Sequence, residues 1–503
     1  MATEKVLVIG AGIAGLCVAL ALGPTGRQVT LLERDDAPPS GDADEAFRDW
    51  HRRGVGHLRQ SHAFLARLRS LVQHEHPQLL QDLIDAGCRE IGFKDMLAEG
   101  LRAGYRPLPQ DAELCVLTSR RTTLELVMRR YVERQANVRI VSGVFVRRLI
   151  TDTDAGGEIV VRGVSGEDPA GPRDYEADFV VDAGGRNSSA IEQLIEAGAP
   201  VVEESETAGI LYFTRHYRLH PGVSEPPRGK APATGDLGFL KFGVFPADNG
   251  CFSITVCVPE IELELRQAVV RPELFDGVCR QMPGLVPWLD ASEPVSRVFG
   301  MGDLHSRWRH LAKDGRPAAL GFFALGDAVV RTNPLYGRGC SFAAVAAWLL
   351  RDVLAETPGA MERALAYPAR MEAVLRPYYL NMRDQDRAAI RRARHALTPS
   401  YRPGLRARIL KSFVEDGVAI ATRSDITLLR AALRGFHMLE HPSAWLRRPA
   451  NLIKVLRYWA RGRKANAPAY PPKPGPGRQE LMLALGLKPE LDVERLAASS
   501  SLA

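Results

Sequence analysis

Gly10, Gly12 and Gly15, with Glu33 placed 18 residues beyond the last of them, have the types and spacing to hold a dinucleotide. In Gly10-Ala11-Gly12-Ile13-Ala14-Gly15 the first glycine permits a tight turn. The second lets backbone approach a pyrophosphate, and the third lets a helix pack close on a sheet. Glu33 is positioned to accept hydrogen bonds from a ribose diol, and Arg34 beside it belongs to the same candidate site. The glycine loop alone does not choose between a nicotinamide and a flavin dinucleotide.

The elements that must position these residues surround them. Val6-Leu7-Val8-Ile9 is a continuous apolar run, as expected of a parallel strand buried on both faces. It feeds the loop and an apolar helix to about Leu22, where Pro24 and Gly26 are stop signals. A second strand over Gln28–Leu32 ends in Glu33. This order aims the helix's free N–H groups and the positive end of its dipole at the phosphates.

Three later segments suit the rest of such a ligand. Arg121-Thr122-Thr123-Leu124-Glu125 opens a helix with apolar spacing. Asp182-Ala183-Gly184-Gly185-Arg186-Asn187-Ser188 follows the apolar run Phe179–Val181. Gly326-Asp327-Ala328 follows a strand expected over Ala318–Leu325, and the chain runs on through Asn333-Pro334-Leu335-Tyr336-Gly337-Arg338-Gly339-Cys340-Ser341 into an apolar helix. An aspartate at the C-terminal end of a strand keeps lone pairs for sugar hydroxyls. Gly337 and Gly339 let backbone lie against a flat ring, and a helix starting at Gly339–Ser341 directs its N–H groups there.

With these motifs, spread from residue 6 to about 353, the chain resembles the FAD-dependent oxidoreductases of the para-hydroxybenzoate hydroxylase fold. That group spans aromatic hydroxylases, squalene and polyketide epoxidases, geranylgeranyl reductases and halogenases. The resemblance implies an α/β fold: a Rossmann-type FAD-binding domain with an inserted antiparallel-sheet substrate domain and a C-terminal helical region. It implies FAD held by Gly10, Ala11, Gly12, Ile13, Ala14, Gly15, Glu33, Arg34, Arg121, Asp182, Gly326, Asp327, Pro334, Gly337 and Gly339. Arg121 would lie near the pyrophosphate, Asp327 at the ribityl chain, and Pro334, Gly337 and Gly339 beside the isoalloxazine ring. It further implies NAD(P)H or a partner reductase as electron donor, and oxygen insertion from O2 through a flavin C4a-hydroperoxide. Such chemistry asks little acid–base work of side chains, so no catalytic residue is assigned.

Departures from the pattern narrow the branch. Val330 stands where many aromatic hydroxylases carry histidine, and Asn333-Pro334-Leu335-Tyr336-Gly337 looks like the polyether-type epoxidases. The Asp182–Ser188 segment looks like the reductase and epoxidase branches. The tryptophan-x-tryptophan-x-isoleucine-proline signature of halogenases is absent, and no lysine in an apolar setting stands out as their carrier. The expected function is therefore hydroxylation or epoxidation of an apolar small molecule. The alternatives are a reductase or dehydrogenase acting on a carbon–carbon double bond, then a halogenase, and, in another class, a flavoprotein that binds without turnover.

Residues 1–195 are expected to begin the FAD-binding domain, with a helical insertion near 63–110. Residues 196–300 would form the substrate sheet, 301–355 the last FAD motif, and 356–503 a basic helical region. Ile210, Tyr212, Thr214, His216 and Arg218 alternate as one face of a strand, and Pro246-Ala247-Asp248-Asn249-Gly250 reads as a plain hairpin turn. The aromatic content of these strands suits an apolar substrate. Gly54-Val55-Gly56-His57 reads as a loop flanking the flavin, and His305, Arg307 and Trp308 as structural. His51, His57 and His62 have no helical metal spacing, so no metal site is assigned.

The composition, 46% hydrophobic and 25% charged, is that of a globular protein with a large core. Seven cysteines without a CxxC pair argue against a disulfide framework and suit a reducing compartment. No signal peptide precedes the first strand and no apolar run approaches the length of a membrane span, so a cytoplasmic location is expected. The net charge of +7 is uneven: Arg376–Lys464 holds 20 Lys/Arg against 6 Asp/Glu, so the rest of the chain is acidic. Residues 440–464, where aromatics interleave with Arg and Lys, suit an anionic membrane, an acidic partner or the chain's own body. No nucleic-acid module is present.

Overall fold

Lys5–Ile9 forms the centre of a five-stranded parallel sheet in the order Phe322–Ala324, Phe179–Asp182, Lys5–Ile9, Gln28–Glu33, Val138–Ser142. The computed structural model describes residues 3–227, 231–396 and 401–489. Register decides what this sheet presents. Ile9 lies beside both Asp182 and Leu32, and Asp182 beside Ala324. The glycine loop, Glu33, Asp182 and the Gly326–Asp327 turn therefore leave the sheet at one edge. Helices Ile13–Leu22, Arg121–Glu133 and Gly339–Glu356 pack together over the sheet, and an antiparallel meander (Phe145–Thr153, Ile159–Asp168, Gly171–Glu176) lies against the Phe179–Asp182 strand.

Two expectations change in detail. The last parallel strand is only Phe322–Ala324, because Gly321 turns the chain at φ +69° and Leu320 pairs with Val160 instead. The 63–110 insertion contains the helices Ala66–Glu75 and Pro77–Asp85, but also a small antiparallel sheet of Ala63–Phe64, Val116–Thr118 and Arg89–Ile91. All seven cysteines are free, and six are buried.

The second large sheet is antiparallel, built around Ile210–Leu219, Cys251–Pro259 and Lys241–Pro246. Its hairpin turn is not plain. Asn249 (φ 54°) and Gly250 (φ 67°) reverse the chain as expected, yet Asp248 is fully buried. Its carboxylate accepts from the Arg120 backbone N–H at 2.7 Å, from the Arg120 guanidinium at 3.0 and 2.5 Å, and from Thr123 Oγ1 at 2.9 Å. The turn thus fastens the antiparallel sheet to the start of the Arg121–Glu133 helix.

The basic C-terminal region folds back on the acidic body. The 37-residue helix Ala360–Ala396 buries Tyr367, Met371, Leu375 and Tyr379 in the main core. Its Arg376 and Arg383 bond Glu204, and Arg387 bonds Glu206. From the helix Ile426–Phe436, Arg430 forms a buried pair with Asp111 at 2.5 Å, and Arg434 reaches Glu113 at 2.9 Å. Among the described residues no helix is long and apolar enough to cross a membrane.

Asp248→Asn keeps the turn's shape and leaves the Arg120 guanidinium with Asp44 as its remaining carboxylate. A broken buried pair costs about 3 kcal/mol, so the urea midpoint should fall clearly. An unchanged midpoint would contradict the fastening role.

Candidate active site

A cavity of about 630 Å³ runs between the two sheets. Gly10, Gly12, Ile13, Ala14, Glu33, Arg34 and Arg121 line it on the parallel-sheet side, with Gly326, Asp327, Pro334, Gly337 and Gly339. Tyr212, Phe242, Phe245 and Cys257 line it from the antiparallel sheet. Phe436 and His437, from the C-terminal region, complete the wall.

The glycines divide by function. A Cβ on Gly10 (φ +93°) would meet the Ala183 carbonyl oxygen at 2.8 Å, and one on Gly15 would meet the Gly10 carbonyl oxygen at 2.0 Å. Those two positions are closed by the protein itself. A Cβ on Gly12 meets nothing within 4 Å, so its exposed backbone borders open cavity. Helix Ile13–Leu22 starts there with no side-chain cap, which leaves its first N–H groups without protein partners.

Ala11, Gly15 and Asp182 lie off the cavity wall. Ala11 donates its N–H to Glu33 Oε2 at 2.9 Å. Asp182 is a positioning group: fully buried, it accepts from Gly184 N and Ser188 Oγ, each at 2.9 Å, and so shapes the Gly184–Ser188 loop that does line the cavity. Burial pushes its carboxyl up to about 6, against those two hydrogen bonds. Sequence spacing places Asp182 at the strand end but does not show which way its side chain turns.

Glu33 is already engaged. Its Oε1 accepts from Asp35 N at 3.0 Å, and its Oε2 takes the Arg52 guanidinium at 2.5 Å. Arg52 also bonds Glu125 at 2.8 Å, and Glu125 holds Arg121 at 2.7 and 2.8 Å. Burial alone would raise the Glu125 carboxyl; Arg121 and Arg52 more than offset it and hold it below the usual range. Asp327 differs, because no protein donor bonds its carboxylate among the described residues and it borders the cavity. Desolvation raises its pKa, opposed by the charges of Arg121, Arg331, Arg307 and Arg186.

His57 and His62 border the cavity as neutral rings. Burial, then the Arg121 charge, holds His57 well below its ordinary value and His62 at about 3. His62 Nδ1 donates to the Gln60 carbonyl at 2.8 Å, which leaves Nε2 as an acceptor. His305 also lines the cavity, whereas Arg307 and Trp308 are buried, Arg307 donating to the Asp327 carbonyl at 2.9 Å. Lys241 reaches the cavity too, but paired with Asp236.

Residues 5–352 match a family model described as FAD dependent oxidoreductase. The chain belongs to this family of FAD-dependent oxidoreductases. Protein Rv3254 of Mycobacterium tuberculosis (strain ATCC 25618 / H37Rv) is 28% identical over 383 residues, covering 72% of this chain and 75% of that protein. PqsL from Pseudomonas aeruginosa shares the fold at TM-score 0.57 and 17% identity, over 78% of this chain and 99% of that one. So does p-nitrophenol 4-monooxygenase PnpA from Pseudomonas putida DLL-E4, at TM-score 0.57 and 19% identity, over 87% and 98%.

The site of this FAD-dependent oxidoreductase fits its cofactor. The open space over Gly12, the uncapped helix start and the unclaimed Asp327 carboxylate are what a pyrophosphate and a polyhydroxyl chain require.

A buried network missed from sequence supports the loop at Asn333–Gly337. Tyr212 OH donates to Asn333 Oδ1 at 2.5 Å, and Asn333 Nδ2 donates to Asp386 Oδ1 at 2.8 Å. Tyr336 OH donates to the same oxygen at 3.0 Å. Asp386 orients the Asn333 amide so that its Oδ1 faces the Tyr212 hydroxyl and accepts its hydrogen. Burial raises the Asp386 carboxyl to about 6. Asp386, Phe436 and His437 sit 45 or more residues beyond the Asn333–Ser341 motif, and no local signal points to them.

Gly12→Val should fold with an unchanged urea midpoint and purify without FAD, whereas Gly15→Val should lower the midpoint itself; a yellow Gly12→Val protein contradicts the cradle. Asp386 makes a second prediction. Its folded pKa lies above the unfolded value, so its contribution to stability is complete below about pH 4 and is lost as pH rises through about 6. Asp386→Asn can keep the bonds from Asn333 and Tyr336 and should remove that fall, gaining on the order of 2 kcal/mol at neutral pH. Parallel stability–pH curves for the two proteins would count against it.

Proposed function

We propose that this enzyme is a monooxygenase that inserts one oxygen atom of O2 into an apolar small molecule, by hydroxylation or epoxidation. The observation that carries this reading is the single cavity joining the Gly12 and Asp327 edge to a wall of Phe242, Phe245, Met301, Leu304 and Leu335. Bound FAD supplies the redox chemistry with O2, after reduction by NAD(P)H or a partner reductase. The chain's own residues would hold that cofactor: the Ile13–Ala14 N–H groups the pyrophosphate, with Arg121 nearby, and Asp327 the ribityl hydroxyls. The backbone of Pro334–Gly339, where the Gly339–Glu356 helix starts, would meet the flavin ring. The aromatic and aliphatic wall excludes water. Neutral His57 and His62 add no charge to the pocket. PnpA, named as a monooxygenase, has this fold.

The test is turnover of aromatic and polyene candidates with NADPH under 18O2. One labelled oxygen in the product, and no turnover without air, is expected. Anaerobic turnover that makes or removes a carbon–carbon double bond, with no label, would replace this reading with a reductase or dehydrogenase.

A further inference from the structure

Helix Leu405–Ser412 has no buried residue. Leu405, Ile409 and Leu410 are 64%, 48% and 63% exposed, and Val414 in the following turn is 48% exposed. Between them stand Arg406, Arg408 and Lys411, with no acidic residue in the helix. An eight-residue helix gains little from its own hydrogen bonds in water, and most helices in proteins are held by a buried apolar face. Here the apolar side chains are present and nothing among the described residues covers them.

The neighbouring helix adds exposed apolar residues of its own. Pro449–Ala465 packs on this segment through Trp459, whose Nε1 donates to Ser412 Oγ at 3.0 Å and whose ring meets Phe413 edge-on. Trp445, Leu446, Val455 and Tyr458 turn inward. Leu452, Ile453 and Leu456 remain exposed beside Arg457 and Arg461.

Charge selects the occupant. The body's carboxylates have already taken Arg376, Arg387, Arg430 and Arg434. Arg406, Arg408 and Arg457 meet no carboxylate among the described residues, and Lys411 has only Glu415 at 4.0 Å. A second copy meeting this face by two-fold symmetry would set cations against cations. A phosphate backbone would leave the leucines uncovered. We propose that helices Leu405–Ser412 and Pro449–Ala465 dock the enzyme on an anionic lipid surface, the arginines at the headgroups and the leucine tips at the acyl boundary. This holds whether or not the oxygenation reading does.

FAD-loaded full-length protein, sedimented with vesicles of equal parts phosphatidylcholine and phosphatidylglycerol, should be carried down at low salt. Vesicles of phosphatidylcholine alone should leave it in solution, and high salt should weaken binding by roughly tenfold or more. Leu405→Ser with Leu410→Ser should weaken binding about tenfold. Arg406→Gln with Arg408→Gln should do the same, and neither pair should change FAD content or urea midpoint, since the helix buries nothing. No sedimentation with the anionic vesicles overturns the proposal, as does equal binding to the neutral ones or binding indifferent to the leucines. A dimer in light scattering that the leucine variants dissolve overturns it in favour of a second copy.

Discussion

The buried guanidinium of Arg52 is the interaction on which the cofactor edge depends. It joins Glu33, at the end of the second parallel strand, to Glu125, on a helix more than 70 residues later. Glu125 in turn holds Arg121 at the cavity. None of these charges is affordable alone in a dry interior, where an unpaired ion costs several kcal/mol. Together they lock the strand end, the 51–56 loop and the Arg121–Glu133 helix into one arrangement, and the cavity inherits its shape from that lock. Asp248 repeats the device on the other side, with Arg120 as its partner. Adjacent arginines, 120 and 121, thus bind the antiparallel sheet and the edge of the parallel sheet to the same helix end.

The cavity's chemistry follows from what those pairs withdraw. Carboxylates that could have entered it, Glu33, Glu125 and Asp248, are occupied by arginines. His57 and His62, which border it, are held neutral by burial and by the Arg121 charge. Asp327 is left as the carboxylate with acceptor capacity toward a ligand, and the antiparallel sheet contributes Tyr212, Phe242 and Phe245 to the wall. A site prepared in this way binds, orients and keeps out water more than it transfers protons, which suits chemistry supplied by a cofactor.

The C-terminal region divides its charge between two tasks. Its inner arginines satisfy the acids of the body, which draws Phe436 and His437 onto the cavity wall. Its outer ones stand beside uncovered leucines on the opposite kind of surface. One basic stretch therefore closes the active site and carries an exposed face, and composition alone does not separate the two.

Local pattern by itself determined the three strands Lys5–Ile9, Gln28–Glu33 and Phe179–Asp182, the glycine turn, the helix starts at Ile13, Arg121 and Gly339, and the strand-end aspartates, because each is written in contiguous residues. It read Ile210–Leu219 as a strand, but both faces are buried along most of it, with Phe213 and Tyr217 as buried as Tyr212 and His216. Only the tertiary structure decided that Asp182 turns into its own loop, that Asp248 is a buried anchor, and that Arg52 and Asp386 support the site. The physical reason is the same in each case. A buried charge or amide is defined by its partner, and those partners lie from 6 to 128 residues away, beyond any spacing that a helix or strand imposes. The fate of the +7 charge belongs here too: the count was legible, but which cations face the body and which face outward was settled by packing.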